Sequence, residues 1–140
     1  MKKYFGLVVA GLGMLLPAVP AMAHHSFAAE FDNNKPVTLK GSLTRIDWMN
    51  PHIWIYLDVK DDAGAVTHWQ CEGGPPNSLT RNGWTKDALK IGDQVTVEGF
   101  KAKDGTNTCN SRSVKLPDGR SVFAGSADDG GPGRRSGGTQ

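Results

Sequence analysis

The sequence has no large excess of either charge, almost no cysteine and no long apolar run beyond its first residues. Sixteen Lys and Arg stand against 14 Asp and Glu. Lys2 and Lys3 lie in an amino-terminal leader that is expected to be cleaved, and the leader holds no acid. The 16 basic residues then fall to 14, so the remaining chain is neutral with histidine uncharged. A protein that tracks a phosphate backbone needs a basic excess, so nucleic acid is not an expected partner. No later segment is apolar over the roughly 18 residues that a membrane-spanning helix requires, so no membrane span is expected. The chain has no G-x-S-x-G, no P-loop, no H-E-x-x-H and no C-x-x-C. It therefore reads as a protein that is not an enzyme.

What is present at the start is a leader. Met1-Lys2-Lys3-Tyr4 is basic, residues 5–16 are apolar apart from glycine, and Pro17 and Pro20 follow. Ala21-Met22-Ala23 has the small-x-small form of a cleavage site. Residues 1–23 are thus expected to be a secretory signal peptide of bacterial type, with the periplasm as destination. No cysteine follows the cut to carry a lipid. Cys71 and Cys109 are the two cysteines. In an oxidising compartment they are expected to pair. Their loop of about 39 residues would contribute about 4 kcal/mol by the chain-entropy model.

Residues 125–140 hold glycine, serine, arginine and one proline but no large apolar side chain. Such a composition cannot bury enough surface to offset its ordering entropy, and a solvated tail is expected. One domain over residues 24–124 remains. Within it, Val37, Leu39 and Leu43 share one parity, whereas Ile46 and Trp48 take the other; a switch of parity inside one strand implies a bulge. Ile53, Ile55, Leu57 and Val59 alternate strictly and should face the core. Asp61-Asp62-Ala63-Gly64 is a hairpin turn, and residues 66–72 form the return strand. Paired residues of an antiparallel ladder share a face. Trp69 and Cys71 must therefore join the inward set, which leaves Trp54, Tyr56 and Asp58 outward with His68, Gln70 and Glu72.

Pro75-Pro76 and Gly83 bracket a short helix, with Trp84 and Leu89 beneath it. Gly92-Asp93 turns into a strand over residues 94–101, with Val95 and Val97 inward. Asp104-Gly105 turns into a strand near residues 110–116, and Pro117-Asp118-Gly119 leads to a short end strand at residues 121–123. Three strands, a short helix and two strands, with a bent first strand, predict an all-β fold: a five-stranded OB-fold-like Greek-key barrel with a small helix inserted. A seven-stranded sandwich is the alternative; it fits the helix and the strand count less well.

Several pieces of the chain together carry a resemblance. They are His24-His25-Ser26-Phe27, Trp48-Met49-Asn50-Pro51-His52, Trp69 with Glu72, Pro75-Pro76 and Gly83-Trp84. Gly92-Asp93-Gln94-Val95, Lys103-Asp104-Gly105 and Leu116-Pro117-Asp118-Gly119-Arg120 complete the set. In order and spacing they resemble a bacterial exported family known as domain of unknown function 6152. The resemblance implies an exported small domain and carries no activity with it.

Two candidate surfaces emerge. Trp54, Tyr56, His68 and Gln70 form an outward patch on the strand 2–3 face, where OB-folds bind oligosaccharides or oligonucleotides. Aromatic rings there stack on other rings. With a neutral, exported chain, the expected partner is a periplasmic protein, a peptide or a glycan. The competing expectation is that residues 27–31 or the tail cover these rings. The second surface is a metal chelate. A cut after Ala23 makes His24 the amino terminus, and amine plus imidazole binds copper or zinc. If Ala23 is retained, His25 becomes the third residue, which suits square-planar Cu(II). His52 is the further candidate ligand; otherwise it bonds a nearby carbonyl at the Asn50-Pro51 turn. No cofactor is expected unless it is copper or zinc at this site. His68 and Cys71 lie three apart on a strand, on opposite faces, and do not share a metal. Mass spectrometry of the exported protein should show a chain that starts at His24 and is two protons lighter than its reduced form. Two thiols alkylated without denaturant would remove the bridge.

Overall fold

The computed structural model describes residues 27–125. The elements in chain order are α1 (Phe27–Glu30), β1 (Phe31–Asp47), β2 (Trp54–Lys60), β3 (Val66–Glu72), α2 (Pro76–Arg81), β4 (Gln94–Ala102), β5 (Thr108–Lys115) and β6 (Ser121–Phe123). The strands lie in the order β3-β2-β1-β4-β5-β6, and a parallel pairing of β3 with β5 closes the sheet on itself. Five strands in this connection, with a helix between β3 and β4, make an OB-like Greek-key barrel. β6 pairs antiparallel with the far end of β5.

The long β1 serves two neighbours. Its residues 36–42 pair with β4, and its residues 42–47 pair with β2. In the β1–β2 ladder, Leu43 faces Leu57 but Arg45 faces Tyr56, so Thr44 is the extra residue of a bulge. The bulge is the physical reason for the parity switch in the sequence. It also lets one strand bend from one side of the barrel to the other. The first half of β1 was not legible as a strand, because Asp32-Asn33-Asn34-Lys35 breaks the alternation. Pairing there is irregular between Phe31 and Pro36.

The β2–β3 hairpin has the register that alternation predicts. Ile55 pairs with Cys71 and Leu57 with Trp69, while Tyr56 pairs with Gln70 and Asp58 with His68. Ile53, Ile55, Leu57 and Cys71 are buried in one core with Val97 and Val114. Trp84, Leu79 and Leu89 belong to the same core, so α2 caps it from one end. Pro76 opens α2 at a position where its missing N–H costs nothing. Gly83, at φ +87°, ends it, and the Gly83 and Trp84 amides donate back to Thr80 and Leu79 at 3.0 Å.

Cys71 and Cys109 stand opposite each other where β3 meets β5, with Cα atoms 4.5 Å apart, and are joined as a disulfide. The bridge that cysteine count predicted therefore sits on the seam that closes the barrel. Truncation of Leu57 to Ala should cost about 2 to 4 kcal/mol in urea denaturation, since its side chain is 1% exposed. Thr67→Ala, an exposed position of the same hairpin, should change stability by under about 0.5 kcal/mol.

Candidate functional site

The outward face of β2 and β3 continues onto β5 and β4. Tyr56, Gln70 and Thr108 are level in the pairing, and so are Trp54, Glu72, Asn110 and Phe100. The structure thus brings the expected residues Trp54, Tyr56, His68 and Gln70 onto one face. It also adds neighbours that the sequence reading did not name.

Tyr56 is not an open platform. The Arg45 guanidinium lies 3.8 Å from its ring centroid. Arg45 Nη2 is 3.0 Å from Asp47 Oδ2, and the Tyr56 hydroxyl donates to the same oxygen at 3.0 Å. Hydrogen bonding with Tyr56 and the charge of Asp47 hold the guanidinium above its ordinary value against slight desolvation. Arg45 and Asp47 reach this face because the Thr44 bulge turns them outward, level with Tyr56 and Trp54. The parity switch was therefore the signal that pointed to them. His68 is highly exposed and its Nδ1 lies 2.6 Å from Asp58 Oδ1.

Gln70 belongs to a polar chain that ties this face to the β4–β5 loop. Its Nε2 donates to Thr108 Oγ1 at 3.1 Å, and the Thr108 and Thr106 hydroxyls are 3.0 Å apart. Thr106 donates to Asp104 Oδ1 through its hydroxyl at 2.7 Å and its amide at 2.9 Å. These two bonds, the hydroxyl first, hold the Asp104 carboxyl below its ordinary value. The two bonds therefore favour the ionised carboxyl, and what they contribute weakens as pH falls through that lowered value.

Trp54 borders the concave part of the face. A groove of about 590 Å³ is lined by Ala29, Glu30, Phe31, Lys103, Asp104 and Thr108 together with Trp54. The wall formed by α1 is anchored. Lys103 donates its amide to Glu30 O at 2.9 Å and its ammonium to Ala28 O at 2.5 Å. Phe27 packs edge-on against Phe100, with centroids 5.8 Å apart. Residues 27–31 therefore build one wall of a groove beside Trp54; they do not seal the face.

His52 enters from the β1–β2 loop, and its Nδ1 is hydrogen-bonded to Glu72 Oε1. The partner is a carboxylate, not the backbone carbonyl that the Asn50-Pro51 turn suggested. Among the described residues no three His, Cys, Asp or Glu side chains converge as a metal site. His24 and His25 lie outside the described residues.

A family of unknown function (DUF6152) matches residues 13–111, and the chain belongs to that family. No curated protein matches the sequence. Among solved structures the chain is similar to the mitochondrial single-stranded DNA binding protein Rim1 of S. cerevisiae. That likeness has 10% identity and a TM-score of 0.47, and it covers 59% of this chain and 92% of that one. A likeness of that size says nothing about the ligand of this chain. No helix among the described residues is long and apolar enough to cross a membrane.

The Arg45–Tyr56–Asp47 cluster makes a distinction between two variants. Tyr56→Phe removes the hydroxyl but keeps the ring beneath Arg45, and should cost under about 1 kcal/mol in thermal unfolding. Tyr56→Ala removes the ring as well and should cost more than Tyr56→Phe. Equal losses would show that the cation–ring contact contributes nothing.

Proposed function

For this member of the family, we propose a non-catalytic binding module of the periplasm. Its ligand, a glycan, a peptide segment or a part of a periplasmic protein, seats in the groove beside Trp54. The observation that carries the reading is the groove itself: about 590 Å³, with Trp54 and Phe31 in its lining and α1 braced against Lys103. That volume is in the range of small-ligand sites. Glu30, Lys103 and Asp104 line it with both signs of charge, which suits a neutral or zwitterionic ligand better than a polyanion. Most polar side chains of the surrounding face already bond one another, which fits a role in positioning the site. A leader with the three parts of a signal peptide supports the location.

A second reading has one observation in its favour. The Nδ1 of His52 is held by the Glu72 carboxylate, the arrangement that orients a metal-ligating imidazole and leaves its Nε2 available. His52 would then complete a copper or zinc chelate begun by His24 and His25. Cu(II) titration of the mature protein addresses it. His52→Ala should lower the affinity, and an extension before His24 should lower it further. Unchanged affinity in both would end the metal reading.

The groove is tested with defined oligosaccharides and short peptides, read by tryptophan fluorescence and calorimetry. A ligand that binds the full chain should lose about tenfold or more in affinity with Trp54→Ala, while Trp54→Phe retains most of it. Binding that is indifferent to Trp54→Ala would place the ligand elsewhere.

A further inference from the structure

The barrel carries a second concave surface that shares no residue with the Trp54 groove. Two depressions, of about 550 and 450 Å³, have Lys40, Gly41 and Gln94 in common. The first is lined further by Thr96 and Lys115, the second by Ser42, Asp58 and Lys60. The strand register explains the lysines. Lys40 on β1 pairs with Thr96 on β4, and Thr96 pairs with Lys115 on β5. The β1–β2 ladder ends at Ser42 opposite Asp58. Two residues further along, Lys60 comes level with Lys40. Three ammonium groups from β2, β1 and β5 thus lie on one outward row.

Like charges on adjacent strands oppose each other. Among the described residues none of the three lysines has a carboxylate in ion-pair range. The acids nearby each have a hydrogen-bond or ion-pair partner of their own, and Asp58 also lines the second depression. Asp58 bonds His68, Glu98 accepts from Ser113 Oγ at 2.8 Å, and Asp118 holds Arg120 at the neighbouring turn. Gln94 and Thr96 add an amide and a hydroxyl that have no side-chain partner among the described residues. Gly41 lies where β1 passes close to β2; a β-carbon there would sit 2.6 Å from the Asp58 carbonyl oxygen. The depressions therefore present point-like cations and neutral donors on the outward side of the sheet, while Gly41, with the parity of Leu39 and Leu43, faces the other side and lets β1 approach β2 closely.

We propose that this row of Lys40, Lys60 and Lys115 is an anion site for a phosphate group. A single carboxylate is best met by an arginine fork, and no arginine lines either depression. Lys40 and Lys115, which line the first depression from either side of Thr96, suit a compact anion with several oxygens, to which each gives a separate donor, and Lys60 adds a third cation at the adjoining depression. The phosphate belongs either to a free organic phosphate or to a lipid headgroup, and the same groups receive both.

Inorganic phosphate is titrated into the full chain at constant ionic strength, and amide shifts are followed by NMR. Saturable shifts should appear at Lys40, Thr96 and Lys115 and not at Trp54. Lys115→Gln should weaken the effect about tenfold, and the Lys40→Gln, Lys115→Gln pair should abolish it. All three lysines are exposed, so these variants should fold, as the remaining amide signals would show. Sedimentation with phosphatidylcholine vesicles, with and without phosphatidylglycerol, separates the sources. Binding only to the anionic vesicles, lost in the double variant, assigns the lipid headgroup. Phosphate shifts without vesicle binding assign a free phosphate. Equal shifts with chloride, a titration unchanged in the double variant, or neither phosphate nor vesicle binding would overturn the site.

Discussion

Everything on the outward face depends on the short seam where β3 meets β5. Only residues 70–72 of β3 pair with residues 108–110 of β5, in parallel. Parallel pairings are slightly weaker per residue than antiparallel ones, and this one joins segments far apart in sequence. The seam is reinforced from three directions. Cys71 and Cys109 are bonded through it, the Gln70 amide donates to Asn107 O at 3.1 Å, and Ser111 Oγ donates to Glu72 O at 2.7 Å. A small core, capped by a helix of six residues, gains a closed perimeter from this arrangement.

The same residues that close the barrel assemble the groove. Gln70 and Glu72 flank Cys71, and they face outward because Cys71 faces inward. Gln70 then reaches Thr108, and through it the Thr106–Asp104 turn that forms one wall. Glu72 reaches His52 and fixes the loop that leads into Trp54. Closure and ligand face are therefore one structural unit. An opened seam would separate the wall at Asp104 from Trp54 even with the β2–β3 hairpin intact.

The succession of strands along the chain, the hairpin register and the bridge were legible because each rests on local periodicity or on pairing of the only two cysteines. Strict alternation from Ile53 to Val59 leaves one register that keeps Trp69 and Cys71 inside. The bulge was legible as a parity change, though the residues it redirects, Arg45 and Asp47, were not drawn from it. Three features lay beyond the sequence. The first half of β1 is polar and irregular. The α1 wall is held by Lys103, 75 positions distant from Ala28. The union of Glu72 with His52 joins positions 20 apart at the end of the β2–β3 ladder, just beyond the Trp54–Glu72 pair. The last two are contacts between positions far apart in sequence, and neither propensity nor spacing encodes such contacts.

Amide hydrogen exchange tests most directly the claim that closure and ligand face are one unit. It is measured on the oxidised protein and on the Cys71→Ala, Cys109→Ala variant under conditions where both remain folded. In the oxidised protein the Gln70 amide should exchange with the protection of the buried hairpin amides around Leu57. In the variant Gln70 and Thr108 should lose protection together while Leu57 keeps it, and Trp54 emission should shift as its groove opens. Retention of full protection at Gln70 without the bridge, with Trp54 emission unchanged, would contradict the account.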